Sequence, residues 1–255
     1  MRLIDDVAKE RNVAAVVPTM NVNLDRVRKL ALELDSNGVD LLLVEDSGPL
    51  FSFSRSMNAG ITALLTKPHV KYIVLSNDDV CNIQGFDNML GALKEGKGDY
   101  AQPYANGIRP SMISTRSQLR LMLNFGLKKH APFYALRIAG VARTYTNSQR
   151  PLFLAPSLSR RKEIISVQPF GLFSRKVLEH EMFDENFHNG MEDHDLAYRL
   201  HLHGYSGLTD ADWNVFHAKG ESFKSLYARS RTGSYYGGET QFAENLRYFI
   251  KKHSR

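Results

Sequence analysis

Acidic side chains gather at three points of this 255-residue sequence where an apolar run stops or a helical pattern begins. Tyr72-Ile73-Val74-Leu75-Ser76 runs into Asn77-Asp78-Asp79, and Asp40-Leu41-Leu42-Leu43-Val44 runs into Glu45-Asp46. Carboxylates crowded at a strand tip are costly unless a cation sits among them, and such hard oxygen donors suit Mg2+ or Mn2+. The chemistry this allows is a metal that clamps a substrate diphosphate. A solvated turn with helix-capping Asp residues accounts for 77–79 equally well when that run is taken alone. The third point is Glu192-Asp193-His194-Asp195 at the start of a helical pattern, where the helix dipole favours anions. Glu192 and Asp195 are three apart and share a face, while Asp193 points elsewhere. Plain charge complementarity explains that cluster, and so does a general base facing a substrate hydroxyl. His217 closes the strand pattern Trp213–His217, where a histidine is a hydrogen-bonded structural residue or a ligand.

An alternation of buried strands and amphipathic helices must position these groups. Val13-Ala14-Ala15-Val16-Val17 is a compact apolar run ended by Pro18-Thr19, and Asn21 or Asn23 can cap the helix that follows. Leu24, Val27, Leu30, Ala31 and Leu34 keep helical spacing and turn Asp25, Arg26, Arg28, Lys29 and Glu33 outward. Asn37-Gly38 stops that helix. A second helix spans roughly Ser54 to Leu65, and the strand over 71–76 comes next. Strand, helix, strand, helix, strand at this spacing predicts right-handed βαβ units and a parallel sheet. Three strands then bring Pro18-Thr19, Glu45-Asp46 and Asn77-Asp78-Asp79 to one edge, where open α/β sheets bind ligands. The acid after the second strand can accept hydrogen bonds from a base or ribose, and the acid after the third can hold the metal. Glycine-rich phosphate loops are missing from the first strand–helix turn, so phosphate charge must be met by metal and side chains.

Farther along, helices are expected over 86–95 and from Met191 to Gly204, with a last one over about 239–252. Strands are expected over 99–104 and 164–173, and a short helix begins at Ser174. From Asn106 to Lys162 the chain carries Arg109, Arg116, Arg120, Lys128, Lys129, Arg137, Arg143, Arg150, Arg160 and Arg161, with no acid until Glu163. Leu119, Leu121, Met122, Leu123, Phe125 and Leu127 lie within it, as in a basic amphipathic helix on an anionic membrane or an ordinary core-facing helix. Thr144 to Ser159 reads as a loop. Arg229, Arg231, Tyr235 and Tyr236 among Ser and Gly suit a lid that orders over a diphosphate, or a plain exposed loop.

Apolar residues make up 43% of the chain and charged residues 24%, which places it among soluble globular proteins. The net charge of +6 favours an anionic partner such as nucleic acid, anionic lipid or nucleotide phosphate. The single Cys81 excludes an internal disulfide framework. The amino end lacks a signal peptide's apolar core, and no apolar run reaches the roughly 20 residues that span a bilayer. A cytoplasmic protein is expected, with peripheral membrane contact left open.

Several segments in order resemble the family 2 glycosyltransferases, including their rhamnosyltransferase-like members. Val16-Val17-Pro18-Thr19-Met20-Asn21 is similar to the family's first strand, and Val44-Glu45-Asp46-Ser47-Gly48 to its V-D-N-G-S segment, with Glu45 in place of Asp. Asn58-Ala59-Gly60 resembles its N-x-G, and Ser76-Asn77-Asp78-Asp79-Val80 its D-x-D segment, with Asn77 in place of the first Asp. Phe183-Asp184-Glu185-Asn186-Phe187, then Glu192-Asp193-His194-Asp195-Leu196, Arg199-Leu200 and Gly204-Tyr205 resemble F-D-E-x-F, E-D-x-D-L, R-L and G-Y. His217, Gly220 and Ser222 resemble H-x-x-G-x-S. The likeness covers roughly 12–104 and 164–222 and leaves the basic insertion outside it.

The resemblance implies an α/β chain of GT-A type, a Rossmann-like three-layer sandwich with a mostly parallel central sheet and a basic insertion. A single domain over 1–255 is expected: a nucleotide-sugar-binding half at 12–104, the insertion at 105–163, and an acceptor half with the C-terminal helix at 164–255. The implied activity is that of a hexosyltransferase, moving a sugar from a nucleoside diphosphate donor to a carbohydrate, lipid-linked or protein acceptor with inversion. Asp193 becomes the catalytic base, and Asp79 with His217 the ligands of Mn2+ or Mg2+. Pro18, Thr19, Asn21, Glu45, Asp46, Asn58, Asn77, Asp78, Lys219, Arg229 and Arg231 fall to the donor, and Glu192 and Gly171 to the acceptor side. A retaining transferase shares the donor half. A non-catalytic sugar-nucleotide or nucleic-acid binder is the rival of another class, though few aromatics form the stacking platform that nucleic acid needs. A sugar-1-phosphate nucleotidyltransferase lacks support, because the first loop has no Gly/Arg-rich signature.

Overall fold

The computed structural model describes residues 1–5, 11–47, 51–113, 163–167, 169–187, 190–218 and 238–253. The first half runs β1 (Arg2–Asp5), β2 (Val13–Thr19), α1 (Asp25–Ser36), β3 (Asp40–Glu45), α2 (Phe53–Leu65), β4 (Tyr72–Ser76), β5 (Val80–Gln84) and α3 (Phe86–Lys94). Then come β6 (Tyr100–Ala101), β7 (Tyr104–Ala105), β8 (Ser111–Ile113), β9 (Glu163–Ile165), β10 (Phe170–Ser174) and α4 (Arg175–Leu178). The chain continues with α5 (Glu192–Leu202), β11 (Gly207–Leu208), β12 (Asn214–His217) and α6 (Gly238–His253).

β2 is buried at every position, as a strand must be when helices cover both faces of its sheet. It pairs in parallel with β3 on one side and β4 on the other, so all three point their carboxyl ends the same way. Side chains alternate between faces along these strands. Ala14, Val16, Leu42, Val44, Ile73 and Leu75 join a core with residues of α2, α4, α5 and α6. Val13, Ala15, Val17, Leu41 and Val74 pack instead with residues of α1 and α3. The result is three layers. α2 lies so close to β2 that a Cβ on Gly60 would sit 2.2 Å from Val16 Cγ1. Gly60→Ala is expected to cost about 1–3 kcal/mol by overpacking, read as a lower urea midpoint.

The described central sheet has seven strands in the order β1-β3-β2-β4-β10-β6-β11. It is largely parallel but mixed: β3, β2, β4, β6 and β11 run one way, while β1 and β10 oppose them. Three details depart from the sequence expectation. The run 164–173 breaks at Pro169 into β9 and β10, since proline has no N–H to continue a ladder. The run 99–104 breaks at Gln102-Pro103, and the chain crosses there from the central sheet into a small one of order β5-β12-β7. β1, at the amino end, and β5, right after Asp79, are strands that the apolar pattern did not announce.

β8 and β9 pair antiparallel on either side of 114–162. The basic amphipathic helix expected there, the loop over Thr144–Ser159 and the lid with Arg229 and Arg231 lie outside the described residues. Among the described residues, no helix is long and apolar enough to cross a membrane.

Candidate active site

At the carboxyl end of β4 the chain turns through Asn77, Asp78 and Asp79 before entering β5. Asp78 is buried, and its Oδ2 accepts a hydrogen bond of 2.7 Å from Thr19 Oγ1 at the end of β2. The Arg26 guanidinium reaches the same oxygen at 3.2 Å. Arg26 was expected to face outward, but the first turn of α1 lies beside this edge and a buried carboxylate draws the side chain in. Glu33, also expected outward, accepts from the Ile83 N–H at 3.0 Å and ties α1 to β5.

Thr19 and Glu45 are register partners on β2 and β3, which places Glu45 on the same edge. Its Oε1 accepts from the Val22 N–H at 3.4 Å, and Arg2 Nε lies 3.5 Å from Oε2. Asp46 is buried and paired with Arg55 at 3.0 Å, with Ser56 Oγ donating to it at 3.4 Å. Asn21 spends its Oδ1 on the Asn23 N–H at 2.9 Å, and Pro18 lies within β2 opposite Val44.

Asp79 and His217 are far apart in sequence and meet through the small sheet. β12 runs antiparallel to β5 with His217 opposite Val80, and the Ala218 N–H donates to the Asp79 carbonyl at 3.0 Å. That register sets His217 Nε2 3.0 Å from Asp79 Oδ1, both side chains being largely buried. Asn77 Nδ2 lies 3.4 Å from the same ring nitrogen. Burial pushes the Asp79 carboxyl up, but the hydrogen bond and charge of His217, then the charge of Arg26, reverse this and hold it below its usual value. The group is an anion.

The fit of this pair to a divalent ion can be judged on its spacing. At 3.0 Å apart, Asp79 Oδ1 and His217 Nε2 would reach a common ion. One carboxylate and one imidazole are a sparse donor set, and no cluster of three or more His, Cys, Asp or Glu is arranged around an ion among the described residues. Mg2+ is commonly held that sparsely, by one or two carboxylates with substrate phosphates and waters completing the shell. The pair fits that mode.

The second acidic cluster opens α5. Glu192 is nearly buried and accepts from the Gly190 N–H. Burial, then the neighbouring Asp193 charge, push its carboxyl up to about 7. Asp193 accepts from His194 Nδ1 at 2.7 Å and from the His194 N–H at 2.8 Å. Burial raises Asp193, but the His194 imidazole outweighs it and holds the carboxyl below its ordinary value. Its side chain is 42% exposed, whereas that of Asp195 is not exposed at all. Of the acids in this turn, Asp193 is therefore the anion most open to solvent.

Asp195 has another task. Arg199 Nε at 2.8 Å, Lys252 Nζ at 2.8 Å and His253 Nε2 at 2.7 Å surround its carboxylate. Lys252 also reaches Asp184 at 2.7 Å, and Tyr248 donates to Asp184 at 2.8 Å. Asn245 donates to the Gly190 carbonyl at 2.9 Å, so α6 holds both the turn before α5 and the first turn of α5. Asp184 and Asp195 are both held below the usual carboxylate range: burial opposes this, and their hydrogen-bonded cations outweigh it. Depressed carboxyls stabilise the fold above their unfolded values, and that stability is lost as pH falls through about 4 and below. Asp195→Ala is expected to cost about 3–5 kcal/mol, because it strands buried cations, and should show as a large drop in Tm.

Two residues assigned from the sequence take different places in the structure. Asn58 clasps the backbone of Phe183, accepting from its N–H at 3.0 Å and donating to its carbonyl at 2.9 Å. Its amide thus ties α2 to the turn leading to α5 and is spent on that contact rather than on a nucleotide. Gly171, assigned to the acceptor side, lies inside β10, where a Cβ would fall 2.0 Å from Gln102 Nε2. The missing side chain makes room for Gln102. Lys219, Arg229 and Arg231 lie outside the described residues. Arg26, Asn106, Asn245, Lys252 and His253 were not singled out, and only Asn106, in the turn-forming pair Asn106-Gly107, carried a local signal.

No family model matches the chain, and no curated protein matches it either. Solved structures do. A197 from STIV is similar over 81% of this chain and 85% of its own, at 10% identity and a TM-score of 0.47. Glucosyl-3-phosphoglycerate synthase from Mycobacterium tuberculosis, in complex with Mn2+, UDP and glucosyl-3-phosphoglycerate, is similar over 89% of this chain and 78% of its own. Its identity is 12% and its TM-score 0.40. The same enzyme with Mn2+, UDP and phosphoglyceric acid gives 12% identity and a TM-score of 0.42 over 89% and 77%.

Proposed function

We propose that the chain is an inverting glycosyltransferase of GT-A architecture that uses a nucleoside diphosphate sugar and a divalent ion. The observation that carries this reading is the Asp79–His217 pair at the carboxyl edge of a three-layer α/β sheet, beside Thr19 and Glu45. Asp79 and His217 would hold Mn2+ or Mg2+, which when bound neutralises the charge that builds on a departing diphosphate. Thr19, Glu45 and the Asp78 turn would meet the nucleoside, and Lys219, Arg229 and Arg231 would add positive charge for the diphosphate.

On the acceptor side, Asp193 takes the proton of the acceptor hydroxyl. The hydroxyl oxygen forms the new bond to the anomeric carbon as the bond from that carbon to the phosphate oxygen breaks. The diphosphate leaves with the electron pair, and attack from the far face inverts the anomeric centre. A carboxylate held below its ordinary pKa is ionised at neutral pH and ready for this task. Glu192 sits beside it, its carboxyl pushed up by burial and by the Asp193 charge. The acceptor is a carbohydrate, lipid-linked or protein hydroxyl. β10 of the second half lies between β4 and β6 of the first, which supports reading the two halves as one unit.

Incubation of the purified protein with UDP-, GDP- and dTDP-sugars and Mn2+, following donor hydrolysis, tests the reading. Release of one nucleoside diphosphate that depends on Mn2+ is the expected result, with an inverted anomeric configuration in the product by NMR. Release of none of them in the presence of metal contradicts it.

A further inference from the structure

Asn106 and Gly107 both have positive φ, at 52° and 73°, and Ala105 and Ile108 exchange hydrogen bonds of 3.2 and 3.1 Å across them. This is a tight turn of type I′, for which Asn-Gly is a preferred pair. The turn accounts for an asparagine here but not for where its side chain goes. Asn106 Oδ1 accepts from the His217 N–H at 2.8 Å, and Asn106 Nδ2 donates to the His217 carbonyl at 3.0 Å.

The sheet explains why those two groups need a partner. β7 runs parallel to β12 only as far as Ala105 opposite Val215, and the Asn106 N–H donates to the Val215 carbonyl at 2.9 Å. The chain then turns away, and among the described residues no strand lies beside the backbone of His217 at that edge. The Asn106 amide stands in for the missing strand. On the other side, β5 meets His217 through Val80, and Ala218 bonds the Asp79 carbonyl. His217 is thus fixed from both edges of β12, at the point where its ring faces Asp79.

We infer that Asn106 is a positioning residue: its amide clasps the His217 backbone and so sets the imidazole for the divalent-ion site. This inference rests on the reading of Asp79 and His217 as that site. Groups that orient a metal ligand typically contribute about 10–100-fold to metal affinity. The clasp is separable from the turn, because glycine at 106 adopts positive φ without strain and removes the amide.

The experiment compares the wild-type chain with Asn106→Gly in two readouts. The first is Mn2+ affinity in the presence of UDP, from the free-Mn2+ electron paramagnetic resonance signal. The second is the His217 Hε1 resonance of the metal-free chain, assigned with His217→Gln. The expected result is about 10-fold weaker Mn2+ binding in Asn106→Gly, with a shifted or broadened His217 resonance and a Tm close to wild type. A purely structural turn residue would leave both readouts unchanged when Tm is unchanged, and that result overturns the inference. If the wild-type chain with UDP binds no Mn2+, the metal reading itself fails. The clasp is then decided by the His217 resonance alone, supported by a change and overturned by none.

Discussion

Asp193→Asn is expected to lower sugar transfer by about 10²–10⁴-fold, the usual contribution of a positioned general base. The amide is isosteric and can still accept from His194, so Tm should stay near wild type while kcat falls. Access and charge distinguish Asp193 from its neighbours. Asp195 is enclosed by Arg199, Lys252 and His253, and its lone pairs are spent on them. Glu192 is nearly buried and pushed up to about 7, which makes it a poorer anion than Asp193 at neutral pH. Asp193 is held below its ordinary value with its side chain partly open to solvent. The pH profile follows from the same directions. A base with a depressed pKa stays ionised through the neutral range, so its acidic limb should lie below about pH 4, the ordinary carboxyl value. An acidic limb raised above the ordinary carboxyl range would point instead to Glu192. Full transfer activity in a folded Asp193→Asn variant would show that another group takes the proton.

Asp79→Ala is expected to abolish stimulation by Mn2+ and Mg2+ and to reduce transfer by at least about 10³-fold. The size follows from losing several kcal/mol of charge stabilisation on the leaving diphosphate. The substitution also strands His217, whose Nε2 would keep the Asn77 amide at 3.4 Å but lose its carboxylate partner. Thermal unfolding run alongside separates that local loss from global instability. Transfer that keeps its divalent-ion dependence in the folded variant would remove Asp79 from the metal site.

The parts of this fold that sequence reasoning reaches are those where burial leaves a periodic trace. β2, β3 and β4 are covered on both faces, so they read as unbroken apolar runs, and α1 shows its buried Val27, Leu30 and Leu34 at helical spacing. The parallel trio follows from their order, and with it the edge that gathers Thr19, Glu45 and Asp78. Short strands leave no such trace. β6 and β7 are two residues each, and the crossing between their sheets shows only as Pro103. β5 begins beneath the acids, and its pattern is set by a small sheet that faces solvent on one side.

Side-chain roles were legible where a motif fixed them and illegible where the partner was remote. Helical spacing labels Arg26 as outward but cannot tell water from an adjoining loop that carries a buried Asp78. Asn58 stands in a recognisable motif, yet its partner Phe183 lies more than a hundred residues away, and the motif gives no hint that the contact is to backbone. Lys252 and His253 read as an ordinary basic helix end, while they enclose Asp195. In each case the deciding quantity is desolvation of a charge or amide by a distant segment, which no local window of sequence contains.

Pulsed electron paramagnetic resonance on Mn2+ bound to the wild-type chain with UDP tests the whole account most directly. The predicted spectrum shows 31P coupling from the diphosphate and 14N coupling from an imidazole on the same ion, the latter lost in His217→Gln. Mn2+ and UDP bound together with no imidazole nitrogen on the ion would contradict the assignment of this edge as the donor site.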